Sequence, residues 1–281
     1  MESIKCLICN KENFKIISER VYPDNCHDVV ICRECGLVYL NHRKTERENE
    51  EYYRNDYQKE FNRYFPGING AKEWWDYQGN YILNKVKNII KVPSDILEIG
   101  CGGGGILYPF KQLGCNVTGI DISDNWINFA KDNYGVDVCK KDIASLAKEG
   151  RKYDFIILSH VLEHVPNPVD MLLETKKLLK KNGIMYLETP DVRGIYLKNG
   201  SDNFFCESHL YYFSPVTLAY VINKAGYGIM YKDIGRGAVR FLVSAANEAF
   251  AENVIKGEFR RTVFYLKLYK FKKLLRCHER K

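Results

Sequence analysis

No stretch of this chain is apolar for long enough to cross a membrane, and its first residues lack a secretion signal. Charges and Cys6 arrive before any apolar core region can form. Internal repeats and low-complexity tracts are also missing, which excludes solenoids and disordered arrays. These absences predict a cytoplasmic protein whose ten cysteines are mostly reduced or metal-bound. What is present is 281 residues, enough for one full α/β core with a small appendage. The net charge of +7 is modest and lies largely near the C-terminus. It therefore predicts no nucleic-acid-binding face over the whole molecule.

Four of the cysteines form two C-x-x-C knuckles, Cys6-Leu7-Ile8-Cys9 and Cys32-Arg33-Glu34-Cys35. Each knuckle places two sulfurs on one tight turn, and the pair can close a tetrahedral Cys₄ site for a structural zinc ion. Gly36 suits the turn after the second knuckle. A redox dithiol is the competing interpretation, but no thioredoxin-like βαβ pattern surrounds either pair. Cys26 and His27 belong to neither knuckle and are not counted as ligands. Residues 1–42 thus read as a zinc-binding unit whose stability the metal largely supplies.

Further on, the apolar strand Asp95 to Ile99 runs into Gly100-Cys101-Gly102-Gly103-Gly104-Gly105, and a helical segment, Ile106 to Leu113, follows. Glycines allow positive φ and a backbone that approaches a ligand closely. Gly100, Gly102 and Gly105 satisfy the dinucleotide pattern G-x-G-x-x-G. Glu98, Gly100, Gly102 and Gly104 satisfy E-x-G-x-G-x-G, the pattern of enzymes that use S-adenosylmethionine (SAM). The glycines alone serve both. Glu98 favours SAM, because a carboxylate repels a pyrophosphate and attracts a sulfonium or ammonium group. Asp121 ends the next strand, where a ribose-binding acid belongs, with Ile122 beside it. Asp142, followed by Ile143, ends a third strand, where an acid can accept from an adenine amino group. The apolar strand Tyr153 to Leu158 leads to Ser159-His160-Val161-Leu162-Glu163-His164-Val165-Pro166.

In this order, and with the later strand Gly183 to Pro190, these residues resemble class I SAM-dependent methyltransferases over roughly Trp74 to Ala246. The resemblance implies a doubly wound, Rossmann-like α/β fold with a seven-stranded sheet, and SAM as cofactor. It implies SAM contacts at Glu98, Gly100, Gly102, Gly104, Asp121, Ile122, Asp142, Ile143 and Ser159. Glu207-Ser208-His209-Leu210-Tyr211-Tyr212-Phe213-Ser214-Pro215 resembles a segment of bacterial methyltransferases of surface-polysaccharide and secondary-metabolite pathways. Cys35 to Asn41, with Glu51-Tyr52-Tyr53 and Tyr57 after it, looks like the N-terminus of the same group. That likeness implies a small, sugar-containing acceptor. Sugar C-methyltransferases carry a similar zinc unit with a further domain. An RNA methyltransferase with a zinc module is the other alternative. Glu46, Glu48, Glu50 and Glu51 beside the module disfavour phosphate contact, and no Asn-Pro-Pro-Tyr-type motif follows the fourth strand.

Around this core, residues 43–92 hold a tyrosine-rich segment too aromatic for a disordered linker and an amphipathic helix from Trp74 to Lys91. The catalytic domain is expected over 93–246. Within it, Ser123 can cap a helix to Asn133, and a helix from Pro168 runs to Lys181 with Asn182-Gly183 as its stop. A long irregular connection spans Pro190 to Phe213, Ser214-Pro215 caps a helix to Ala225, and a closing strand pair covers Gly226–Tyr231 and Val239–Ala245. Residues 247–281 carry a basic helix whose apolar face is Phe264, Leu268, Phe271 and Leu275. Such a helix docks on its own domain, or meets a membrane surface or a partner protein.

Methyl transfer to a hydroxyl needs the acceptor aligned and its proton removed, which a positioned base helps by roughly 10²–10⁴-fold. The candidate catalytic residues are His209, at the end of the long connection, with His160 and His164 after the fourth strand. His160, Glu163 and His164 share a helical face, a spacing that also suits a divalent ion.

Overall fold

The computed structural model describes residues 1–19, 21, 27–55, 68–196, 204–245 and 255–279, with backbone alone at 54–55, 68–69, 195–196 and 269–279. The N-terminal part is a small antiparallel sheet of β1 (Phe14–Ser18), β2 (Asp28–Cys32) and β3 (Val38–Asn41). Then come α1 (Glu46–Asn55) and α2 (Ile68–Val86). The alternating core follows as β4 (Asp95–Ile99), α3 (Tyr108–Gln112), β5 (Asn116–Ile120), α4 (Asp124–Tyr134), β6 (Val138–Cys139), α5 (Ile143–Lys148) and β7 (Tyr153–Ser159). After it come α6 (Pro168–Lys176), β8 (Leu179–Pro190), β9 (Tyr211–Tyr212), α7 (Pro215–Lys224), β10 (Gly228–Gly235), β11 (Ala238–Ser244) and α8 (Glu258–Glu279).

The large sheet has the order β10-β11-β8-β7-β4-β5-β6. Strands β6, β5, β4, β7 and β8 run parallel, and β11 and β10 close the edge in antiparallel fashion. This is the doubly wound seven-stranded α/β sheet expected. Its central strands are continuous apolar runs because helices cover both faces: Phe155, Ile156, Ile157 and Leu158 are all fully buried. The chain leaves β4 toward β5 on one side and returns through β7 on the other. The crevice at the C-terminal ends of β4 and β7 is thus the switch point where such sheets bind ligands.

Three elements depart from the sequence reading, the first being α2, which runs over Ile68–Val86 rather than from Trp74 to Lys91. The helix starting at Pro168 stops at Lys176, five residues early, and Lys180 to Gly183 belong to β8. Sheet pairing wins over helix extension because Leu179 already lies opposite Tyr153, and Lys180 reaches across to Asp95 and Asp154 at 2.7 Å each. The long connection is not wholly irregular. A 3₁₀ segment forms at Val192–Tyr196, and β9 pairs with β3, so the small sheet gains its fourth strand from a segment about 170 residues distant.

The helix α8 buries Glu258, Thr262 and Leu266, while Phe264 is 57% exposed. Leu268 is half-buried, and the side chains of Phe271 and Leu275 lie outside the described residues. The docked face lies at the start of the helix. A Cβ on Gly36, which has φ +75°, would sit 2.6 Å from the Phe259 nitrogen, so the bare glycine lets the first turn of α8 lie on the second cysteine knuckle. Arg193 packs over the Tyr265 ring at 5.6 Å. Among the described residues, no helix is long and apolar enough to cross a membrane.

Candidate active site

The glycine turn after β4 is held from below by the Gly100 and Cys101 amides, both donating to the Ile120 oxygen. Gly100, Gly102 and Gly104 all have positive φ. The turn is also tightly enclosed. A Cβ on Gly100 would meet Val161 Cγ2 at 2.6 Å, and one on Gly103 would meet the Trp75 ring at 2.4 Å. Trp75 is buried and stands edge-on to Trp126 with centroids 5.1 Å apart. The second of two consecutive tryptophans in α2 therefore roofs the turn.

Asp121 accepts from the Gly102 amide at 2.8 Å and from the Ser123 amide at 2.9 Å. Burial raises its pKa, opposed by those amides. Ser123 occupies the N-cap of α4, but its side chain makes no capping bond, contrary to the sequence expectation; Asp121 organises this turn instead. Glu98 is fully buried, and its Oε2 has no hydrogen-bond partner among the described residues. Burial, with the charge of Asp121 nearby, holds the Glu98 carboxyl well above its ordinary range. The Ile122 side chain is 58% exposed beside Asp121. Asp142 is exposed and caps α5 by accepting from the Ser145 amide at 2.6 Å, with Ile143 half-buried next to it. Ser159 is buried at the end of β7, and its Oγ has no partner among the described residues.

The segment after β7 is a single 3₁₀ turn, Leu162–His164, rather than an α-helix. It splits the residues that the sequence placed on one face. His160 has φ +55°, an uncommon conformation for a residue with a Cβ. That backbone turns its ring between two carboxylates, with Nδ1 3.4 Å from Glu163 Oε1 and Nε2 3.7 Å from Glu188 Oε1. Trp74 stands edge-on to it at 5.6 Å. Burial disfavours the charged ring, but the two carboxylates outweigh it and push its pKa up to about 9. Glu163 is buried; desolvation opposes its charge, yet the neighbouring imidazoles lower it to about 2.

His164 points the other way. Its Nδ1 lies 2.8 Å from the Ser208 backbone oxygen, and its ring centroid is 4.7 Å from that of His209. Desolvation lowers its pKa. Tyr53 donates to the same Ser208 oxygen at 3.3 Å and stands edge-on to His164 at 6.0 Å. Tyr53, from the described part of the aromatic segment, thus packs on this site; Tyr57, Phe61, Tyr64 and Phe65 lie outside the described residues. The fold therefore brings Glu163, His164 and His209 together, with one ligand atom of each within 4.8 Å of the others; His160, 3.4 Å from the same Glu163 oxygen that faces His164, is not in that set.

Glu188 escaped the sequence reading. It is wholly buried near the end of β8, where it accepts from Tyr186 at 2.7 Å and Gln78 at 3.3 Å and pairs with Arg240 at 2.9 Å. An acid inside the apolar run Met185-Tyr186-Leu187-Glu188 was the available signal, since a buried charge needs partners.

In the small sheet, Cys6 Sγ lies 3.3 Å from Cys35 Sγ, and Cys9 Sγ 3.4 Å from Cys32 Sγ. The four sulfurs fall within 4.8 Å of one another, bridging the two knuckles. Their crowding splits their titration. Hydrogen bonds from Cys35 and Cys6 draw Cys32 down to about 2, and the bond to Cys32 pushes Cys6 up to about 12. Cys26 lies outside the described residues, and His27 is turned to the His42 backbone oxygen at 2.8 Å.

A family profile described as a methyltransferase domain matches residues 51–231. A ubiquinone biosynthesis O-methyltransferase of Pelagibacter ubique (strain HTCC1062) is 36% identical over 145 residues, covering 42% of this chain and 60% of that protein. Another from Bartonella tribocorum (strain CIP 105476 / IBS 506) is 33% identical over 146 residues, again 42% of this chain and 59% of the relative. The match thus spans about 60% of these relatives' length. Among solved structures, an S-adenosylmethionine-dependent methyltransferase from Clostridium acetobutylicum ATCC 824 superposes with a TM-score of 0.54 at 13% identity. That superposition covers 68% of this chain and 100% of the other. A magnesium protoporphyrin IX methyltransferase from Synechocystis PCC 6803 with bound SAH gives a TM-score of 0.52 at 17% identity, covering 69% and 96%. Both share the fold.

Proposed function

The chain belongs to the methyltransferase-domain family, matched over residues 51–231, and on that premise we propose that it transfers the methyl group of SAM to a hydroxyl of a small, sugar-containing acceptor. The observation that carries SAM is the turn itself. It is a Cβ-free cradle with the Glu98 oxygen buried beside it and no partner among the described residues, a fit for a cationic ligand rather than a pyrophosphate. In this proposal Gly100, Gly102 and Gly104 admit the cofactor, Glu98 faces its charged end, and Asp121 accepts from its ribose. Ile122, Asp142 and Ile143 hold the adenine, and Ser159 borders the methionine portion. When bound, SAM supplies the methyl group and its own leaving group.

The remaining work falls to the chain's own groups. Trp74 and Trp75 exclude water from the crevice. His160, His164 and His209 line the acceptor side, where they orient the hydroxyl and deal with its proton. Transfer to oxygen is supported by the O-methyltransferases among the relatives. A sugar-containing acceptor is supported by the His209-to-Pro215 segment together with the cysteine unit. The second reading is an acceptor from ubiquinone biosynthesis, the pathway in the names of those relatives. A screen with labelled SAM against nucleotide-sugars, lipid-linked sugars, phenols and RNA separates the cases. Label in the sugar fraction is expected, label in phenols or RNA selects the alternative, and calorimetric absence of SAM binding sinks the proposal. His209→Ala is expected to cut turnover at least tenfold while SAM binding is retained.

The proposal extends to the flanks. Residues 1–42 are a unit closed by zinc on Cys6, Cys9, Cys32 and Cys35, residues 43–92 cover the catalytic domain at 93–246, and residues 247–281 form a basic tail. Thiolates can bind zinc at about 2.3 Å with little movement of sulfurs already this close. The cytoplasm is the compartment in which such thiols stay reduced. The tail beyond the docked start of α8 is the segment offered for membrane-surface or protein contact. Co-sedimentation with anionic vesicles tests it.

A further inference from the structure

We propose that Lys44 and Glu207 are positioning residues for methyl transfer: their buried ion pair ties the turn carrying Ser208 and His209 to the cysteine unit, and so sets where His209 stands. The proposal rests on the methyl-transfer reading above and gives the small sheet a part in the acceptor site.

The turn is shaped by local bonds. The His209 amide donates to the Cys206 oxygen at 3.2 Å, which closes Cys206-Glu207-Ser208-His209 as a β-turn. The Tyr212 hydroxyl donates to the same oxygen at 2.8 Å and accepts from the Cys206 amide at 3.0 Å. These bonds fix the form of the turn, and its two central residues fix its place. Ser208 offers its backbone oxygen to His164 and Tyr53. Glu207 reaches residues that flank β2 and β3. Its Oε1 accepts from Lys44 Nζ at 2.6 Å, and its Oε2 lies 3.7 Å from His27 Nε2.

The pair differs from a surface salt bridge, because Glu207 is 8% exposed and His27 is 5% exposed. Lys44 is also held from a second side, with Nζ 4.5 Å from the centroid of the Tyr52 ring. Tyr52 stands edge-on to Tyr53 at 5.4 Å, and Tyr53 donates to the Ser208 oxygen. The contacts thus close a ring from Lys44 through Tyr52, Tyr53 and Ser208 to Glu207 and back. An isolated exposed pair is worth little, but a short, desolvated pair inside such a network holds its partners in one arrangement. Arg43, one residue earlier, donates to Tyr211 Oη at 2.9 Å, so the chain leaving β3 grips this segment at two successive positions. What is held is the His209 ring, 4.7 Å from that of His164 and 5.7 Å from that of Tyr212.

A misplacement of about 1 Å at a group that orients the acceptor costs on the order of 10²-fold in rate. The loss should fall on transfer and not on SAM binding, because the glycine turn and Asp121 follow strands of the large sheet. Full-length wild type is compared with Glu207→Gln, Lys44→Met and the double variant. The double variant leaves no unpaired buried charge, so it should fold even where a single variant does not. Label transfer from SAM into a nucleotide-sugar mixture, SAM calorimetry, thermal melts and NMR of ¹⁵N-histidine rings are read together, with His209 assigned from His209→Ala. Turnover should fall roughly ten- to hundredfold in all three variants while SAM affinity is unchanged, and the His164 and His209 resonances should move. The double variant should regain thermal stability without regaining turnover, which a purely structural pair would not do. Turnover restored in the double variant, SAM affinity lost in step with turnover, or a His209 resonance that stays in place overturns the proposal. If wild type itself transfers no label, it is the methyl-transfer reading that has failed, and the His209 resonance alone decides the tether.

Discussion

His164 Nδ1 lies 2.8 Å from the backbone oxygen of Ser208, 44 residues further along the chain, and this contact ties the turn after β7 to the end of the long connection. Replacing His164 by Phe keeps a ring against Tyr53 and His209 but deletes the hydrogen bond. A loss of about 1–2 kcal/mol in urea unfolding is expected, with an altered environment for His209 seen by NMR. An unchanged His209 resonance would show that the contact does not set its position.

Gly100→Ala meets two penalties, a φ of +67° and a Cβ 2.6 Å from Val161 Cγ2. The backbone cost alone is about 1 kcal/mol or more. Because the turn has to shift, SAM affinity should fall at least tenfold. Calorimetric titration beside a thermal melt reads both effects, and near-normal SAM binding would show that the turn is not the cradle.

Glu188→Gln leaves Arg240 buried opposite a neutral group. A loss of about 3 kcal/mol is expected from denaturant unfolding, partly recovered when Arg240→Met is added. Desolvation opposes the Glu188 charge, but His160, Arg240 and Tyr186 outweigh it, so the folded pKa lies below the unfolded one. Its contribution is present above the unfolded carboxyl value of about 4.3 and is lost as pH falls through the folded value. The stability gap between wild type and variant should therefore narrow from about pH 5 toward about pH 3. A constant gap would assign the defect to packing alone.

Gly36→Ala drives a Cβ to within 2.6 Å of the Phe259 nitrogen at a φ of +75°. The start of α8 should lift from the cysteine knuckle, seen as faster limited proteolysis near residue 258. Proteolysis at the wild-type rate would mean that this glycine is not what seats the helix.

Metal removal should loosen the small sheet first. With a strong chelator, zinc released at one equivalent per chain and lost protection of Val38 to Leu40 amides are expected, since β9 pairs only with this sheet. Chelation without loss of protection would show that the sheet holds without the ion.

Much of the site could be read before the structure because it is written in local spacing. The glycines, Glu98 and Asp121 lie at the ends of adjacent parallel strands, where strand–turn–helix units repeat in register. Spacing misled where tertiary pairing overruled it. Lys180 and Lys181 looked like the end of a helix, yet β8 claims them because Leu179 finds Tyr153 in the sheet. Where α8 begins was not legible locally either, since its first turn lies against the bare Gly36.

By itself the sequence determined the α/β order, the glycine cradle and the two cysteine knuckles, all features whose partners lie within a turn or a strand length. Only the tertiary structure decided which distant groups meet: Cys6 with Cys35, Glu188 with Arg240, and His209 with Glu163 and His164. These meetings depend on closing long loops, and β9 closes the last of them by hydrogen-bonding to β3. That register is set by backbone pairing and burial, which no local pattern encodes.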